Sequence, residues 1–138
     1  MSSLTSLSLR GHKVVKLLPL ASLANLKSID IGGNCVERLD ALCALTNLQS
    51  LLASSNRISQ LPERLSCLSD LRLLNVSCNS IAQPLTEIVD VLRSCRLVSS
   101  LDLSRNAIPL GVLAYVPFFS LCFFVTFYTG TTPPLMLA

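Results

Sequence analysis

The sequence predicts an α/β solenoid of about five stacked repeats, with a curved parallel β-sheet on the concave side and short helices or extended turns on the convex side. Three observations predict it. A phrase of apolar residues spaced as L-x-x-L-x-L-x-x-N-x-L recurs five times between residues 4 and 108. Its ninth positions, His12, Asn34, Asn56, Asn79 and Asn106, are spaced by 22, 22, 23 and 27 residues. Composition then changes: every charge lies at or before Arg105, and all seven aromatics fall within the fourteen positions from Tyr115 to Tyr128. A fixed period of this length marks units that cannot bury their apolar faces alone and so must stack.

The copies are LTSLSLRGHKV from Leu4, LKSIDIGGNCV from Leu26, LQSLLASSNRI from Leu48, LRLLNVSCNSI from Leu71 and VSSLDLSRNAI from Val98. Each holds an L-x-L core, such as Leu7 and Leu9 or Leu101 and Leu103, whose period of two puts alternate side chains on opposite faces of a strand. Each ninth residue stands where the strand ends and the chain turns inward. An asparagine amide there offers two donors and an acceptor to turn groups that would otherwise be buried unpaired. Asn34, Asn56, Asn79 and Asn106 therefore read as a structural ladder, and His12 as its first member, with a ring nitrogen standing in for the amide. The Gly32-Gly33 pair belongs to a repeat turn.

Between the strands, the 22-residue copies leave room only for extended or single-turn returns, with Gln60 to Leu68 intermediate. The 27-residue spacing before Asn106 admits a full helix. Leu85, Ile88, Val89 and Leu92 then share one face, Pro84 precedes it, and Glu87 and Asp90 fall early while Arg93 and Arg96 fall late, as the helix dipole favours.

On these motifs the chain resembles the leucine-rich-repeat family over residues 4 to about 108, and its short copies resemble the class that includes regulatory subunits of a serine/threonine protein phosphatase. The resemblance implies a leucine-rich-repeat solenoid and a protein-binding scaffold. In that class partners are met by acidic or aromatic concave side chains, whereas the concave positions here hold two acids and no aromatic, so a phosphatase partner does not carry over.

The outward positions of the strands are mostly serine. Leu52 breaks the alternation, with Leu73 expected beside it, and Asp30, Asn75 and Asp102 flank the pair. Asp30, Leu52, Leu73, Asn75 and Asp102 are accordingly the expected contact residues of a non-catalytic adaptor whose protein partner the sequence does not identify.

Other chemistries find little support. A single histidine, with no nucleophile elbow and no phosphate-cradling loop, argues against an enzyme and against any cofactor. The 11 basic and 8 acidic residues are scattered singly, which excludes a nucleic-acid arm. Six cysteines show no C-x-x-C pair and read as reduced apolar fillers rather than metal ligands, favouring a cytoplasmic setting. The N-terminus lacks the pattern of a secretory signal. With Leu4 opening a repeat and no amphipathic cap before it, the chain reads as part of a longer array.

The division is therefore 1–108, the repeat domain, and 109–138, an apolar, aromatic-rich tail. Three readings stand for the tail. It is a membrane anchor through residues 108–128, which would make the protein tail-anchored; a cap on the open end of the stack; or non-native sequence from a frameshift or untrimmed intron.

Overall fold

A computed structural model of the chain describes residues 3–109 and, as backbone, the segments Phe124–Phe127 and Leu135–Leu137. Five three-residue strands arise one per copy: β1 (Ser6–Ser8), β2 (Ser28–Asp30), β3 (Ser50–Leu52), β4 (Leu73–Asn75) and β5 (Ser100–Asp102). They pair in chain order and in parallel, with Leu7, Ile29, Leu51, Leu74 and Leu101 in one register row. The register repeats the sequence period, so the phrase fixes which residues face each other. Two further strands, β6 (Phe124–Phe127), parallel to β5, and β7 (Leu135–Leu137), antiparallel to β6, complete a seven-stranded sheet.

The apolar positions of each phrase turn inward together. Leu26, Ile29 and Ile31, then Leu48, Leu51 and Ala53, then Leu71, Leu74 and Val76 are sealed from solvent. Their equivalents in the first copy, Leu4, Leu7 and Leu9, are only half-buried, because a neighbouring copy covers them on one side only.

The three shorter returns each form one five-residue 3-10 segment: Leu18–Ser22, Asp40–Ala44 and Glu63–Cys67. The third was expected to be intermediate in length and is not. Its extra residue is absorbed before the segment, where extended Pro62 leads into Glu63. A leucine N–H closes each segment, from Leu23, Leu45 and Leu68 to the carbonyls of Leu20, Leu42 and Leu65. The longer return forms α1 (Leu85–Leu92), with Pro84 ahead of it, Leu85, Ile88, Val89 and Leu92 all buried, and Arg93 paired to Asp90 at 3.3 Å. Gln83 ties α1 back to the preceding copy: its Oε1 accepts the Leu61 N–H at 2.7 Å and its Nε2 donates to the Leu61 carbonyl at 3.3 Å.

Among the described residues no helix is long and apolar enough to cross a membrane. The expected span 108–128 lies largely outside the described residues; of its described parts, Ile108 is buried at the end of the fifth copy and Phe124–Phe127 runs as strand β6. The cap and non-native readings of 109–138 likewise concern residues outside those described, apart from Pro109, β6 and β7.

Candidate functional site

The ladder fixes the shape of the face on which the candidate contact residues sit. Asn56 shows its working: the Oδ1 accepts the Val36 N–H at 3.0 Å, while the Nδ2 donates to the carbonyls of Ile31 at 2.9 Å, Ala53 at 3.1 Å and Ser54 at 3.2 Å. Asn34, Asn79 and Asn106 repeat the pattern, each linking its own turn to the preceding copy. His12 keeps one part of it. Its exposed ring Nδ1 lies 2.7 Å from the Arg10 carbonyl, the same two-residue step back that each asparagine makes, but the ring joins no second copy.

The residue before each ladder position has positive φ: Gly11 at 71°, Gly33 at 66°, Ser55 at 56°, Cys78 at 55° and Arg105 at 54°. This left-handed step turns the chain inward after every strand, and glycine supplies it without strain in the first two copies. At Gly32 a side chain would also collide with Arg10, which lies over it to reach Asp30. Arg10 and Asp30 form a partly exposed ion pair at 3.7 Å.

The outward side chains line up in register as Ser8, Asp30, Leu52, Asn75 and Asp102. Leu52 was expected beside Leu73, but it faces Asn75, and Leu73 faces Ser50. The two leucines are diagonal neighbours, because the phrase places them two positions apart within their copies. Both are half-buried, next in their strands to the inward-facing, buried Leu51 and Leu74.

The acids and Asn75 have a second task that sequence reasoning missed. Asp30 Oδ1 accepts the Gly32 N–H at 2.9 Å, Asn75 Oδ1 accepts the Ser77 N–H at 3.0 Å and the Ser77 hydroxyl at 2.7 Å, and Asp102 Oδ1 accepts the Ser104 N–H at 2.9 Å. These are Asx turns that cap strand ends. The signal was present in the sequence as D-I-G, N-V-S and D-L-S at one register. Leu52, in the third copy, has no oxygen with which to cap Ser54.

A groove of about 770 Å³ opens elsewhere, among the returns, lined by Arg38, Asp40, Gln60, Glu63, Arg64 and Gln83 among others. Its charges are of both signs and no histidine or cysteine lines it. Beneath the returns the Cys43 thiol donates to the Leu39 carbonyl at 3.8 Å and the Cys95 thiol to the Leu65 carbonyl at 3.5 Å. Burial pushes the Cys43 thiol up to about 11, with Asp40 adding to the effect, and burial raises Cys95 as well. Both are protonated fillers rather than nucleophiles.

No protein-family model matches the sequence, and a search of curated protein sequences finds no match. Solved structures do match. An internalin C2 from Listeria monocytogenes superposes with a TM-score of 0.75 at 29% identity, over 91% of this chain and 52% of that one. A leucine-rich-repeat protein of Leptospira interrogans matches with a TM-score of 0.74 at 24% identity, over 85% of this chain and 29% of that one. In the Drosophila melanogaster SNF/U2A' complex the match has a TM-score of 0.69 at 24% identity, over 82% of this chain and 66% of that one. The chain thus spans about half the length of the internalin and under a third of the Leptospira protein.

Proposed function

The chain is a leucine-rich-repeat solenoid, and on that premise we propose that it is a non-catalytic interaction scaffold that binds a protein partner through its concave face. The observation that carries this reading is Leu52. The register row caps its own strand ends with Asp30, Asn75 and Asp102, and in the third copy that cap is given up for an outward-facing apolar side chain. A fold that spends a hydrogen bond to present a leucine, with Leu73 diagonal to it, has placed an anchor where the fold itself has no use for one. A similar solved structure is of a complex, SNF/U2A', which supports a partner-binding use of this architecture.

The test is affinity capture on the full chain, comparing wild type with Leu52→Asn and Leu73→Asp, with folding checked by circular dichroism. Loss of the same partners in both variants supports the face. Survival of every partner in both folded variants rejects it. The reading carries a cytoplasmic setting, in which the buried Cys43 and Cys95 thiols, each bonded to a main-chain carbonyl, stay reduced. Differential alkylation of intact cells would then find the exposed Cys67 as a free thiol.

A further inference from the structure

At the first copy the stack presents one half of an interface that it completes everywhere else. β1 heads the sheet. Its bonds to β2 are carried by alternate residues: the Thr5 carbonyl accepts the Lys27 and Ser28 N–H groups at 2.7 and 3.0 Å, and the Leu9 N–H donates to the Asp30 carbonyl at 2.7 Å. Successive residues of a parallel strand turn their main-chain groups to opposite edges, so those of Ser6 and Ser8 point to the outer edge, where no described strand meets them. Behind that edge Leu4, Leu7, Leu9, Val14, Leu20 and Leu23 are only partly buried.

The sheet shows four times over what covers such a surface. Leu26, Ile29 and Ile31, which hold the positions of Leu4, Leu7 and Leu9 in the second copy, are sealed because a neighbouring copy stands on each side. An extended peptide paired with β1 alone would leave Val14, Leu20 and Leu23 open, since these belong to the turn and the return behind the strand. An element with the cross-section of a whole copy covers them all, and the first copy of this chain has that cross-section. We infer that the first copy is a self-association surface, on which a second copy of this chain pairs β1 to β1, antiparallel, about a two-fold axis through Leu7. In that register Ser6 opposes Ser8 of the second copy, and the two exchange N–H to carbonyl bonds in both directions, with Leu7 against Leu7 as the close, non-hydrogen-bonded pair. An axis normal to the sheet keeps both apolar layers on its convex side, so the two half-covered ends meet.

Charge selects the same register. Between residues 4 and 25 the charges are Arg10, Lys13 and Lys16, all basic. Pairing about Leu7 sets Arg10 opposite Leu4 of the second copy and leaves the two arginines about 20 Å apart along the strands, beyond the screening length of about 8 Å at physiological salt. A parallel pairing in the register of the stack would set Arg10 beside Arg10. The inference goes beyond the concave-face function proposed above and stands apart from it, since it uses the outer edge and end of the first copy and neither Leu52 nor Leu73.

The experiment is sedimentation velocity of the full chain over a concentration series, with hydrogen exchange of the Ser6 and Ser8 amides on the same samples. The expected result is a mass that rises from 14.9 kDa to twice that value, with both amides protected in the dimer and unprotected on dilution, when Leu7 is again covered on one side only. Ser8→Pro removes an outward donor from each copy without touching a bond to β2, and should weaken association about tenfold or more, while Leu52→Asn leaves it unchanged. A single-chain mass at every concentration overturns the inference. So does a dimer whose Ser6 and Ser8 amides exchange freely, or one as tight in Ser8→Pro as in wild type, because it must use another surface. If Ser8→Pro fails to fold, exchange of the two wild-type amides decides. Protection of those amides only when a captured partner is added, with the chain alone monomeric, gives the edge to that partner and overturns the second copy.

Discussion

Asp30, Asn75 and Asp102 each give one side-chain oxygen to the main-chain N–H two residues on, and Leu52 in the same row cannot. Leu52→Asn should therefore restore the missing cap at Ser54 and stabilise the protein by roughly 0.5–1.5 kcal/mol, less the apolar contact of a half-buried leucine. Urea denaturation would show a raised midpoint at unchanged slope, in the same variant that loses partner binding. A leucine that is better for binding and worse for folding separates the two roles cleanly. Asn56 is the opposite case. Asn56→Ala leaves the buried Val36 N–H without its acceptor, while the Ile31 and Ala53 carbonyls keep the amides of Asn34 and Asn79, which should cost roughly 1–3 kcal/mol. His12→Ala, whose exposed ring meets only its own strand's Arg10 carbonyl, should cost under about 0.5 kcal/mol by the same measurement.

At the scale of elements, the returns are held by main-chain closures and by what they bury. Cys43 lies in the second 3-10 segment with its side chain buried, and its thiol is raised to about 11 from 9.0. The folded state therefore keeps a proton there that the unfolded chain loses first. This stabilisation is fully present below about pH 9 and is lost as pH rises through about 11. Thermal unfolding across that range should show a steeper fall in midpoint for wild type than for Cys43→Ala, and equal slopes would refute the role of the buried thiol. The helix α1 was legible from Leu85, Ile88, Val89 and Leu92, because a 3.6-residue period survives in sequence. The short returns were legible from the 22-residue spacing as extended or single-turn, but not as uniform five-residue 3-10 segments, because such a turn has no period to show and Pro62 disguised the third as a longer element. The strand register was legible from the asparagine spacing, whereas the diagonal placement of Leu52 and Leu73 required following that register across two copies. The Asx caps were missed because an acid on a free face reads as a contact residue unless the N–H two positions on is also counted.

Over the whole molecule, stability should be unequal along the stack, since each copy is held only by its neighbours. Leu51 is sealed between β2 and β4, whereas Leu7, its register equivalent in β1, is half-buried and covered from one side. Leu51→Ala should cost roughly 2–5 kcal/mol, as for a fully enclosed leucine, and Leu7→Ala markedly less. Native-state hydrogen exchange resolves the difference by position. In wild type the Leu9 N–H, bonded to the Asp30 carbonyl, should exchange by fraying of the first copy, ahead of the Ile31 and Ala53 N–H groups bonded to Leu52 and Asn75. Leu7→Ala should then speed exchange in the first copy alone, while Leu51→Ala speeds it in β2, β3 and β4 together, because removing the middle contact uncouples copies on both sides. Equal acceleration along the sheet in both variants would show one all-or-none unit and contradict nearest-neighbour stacking as what holds the stack together.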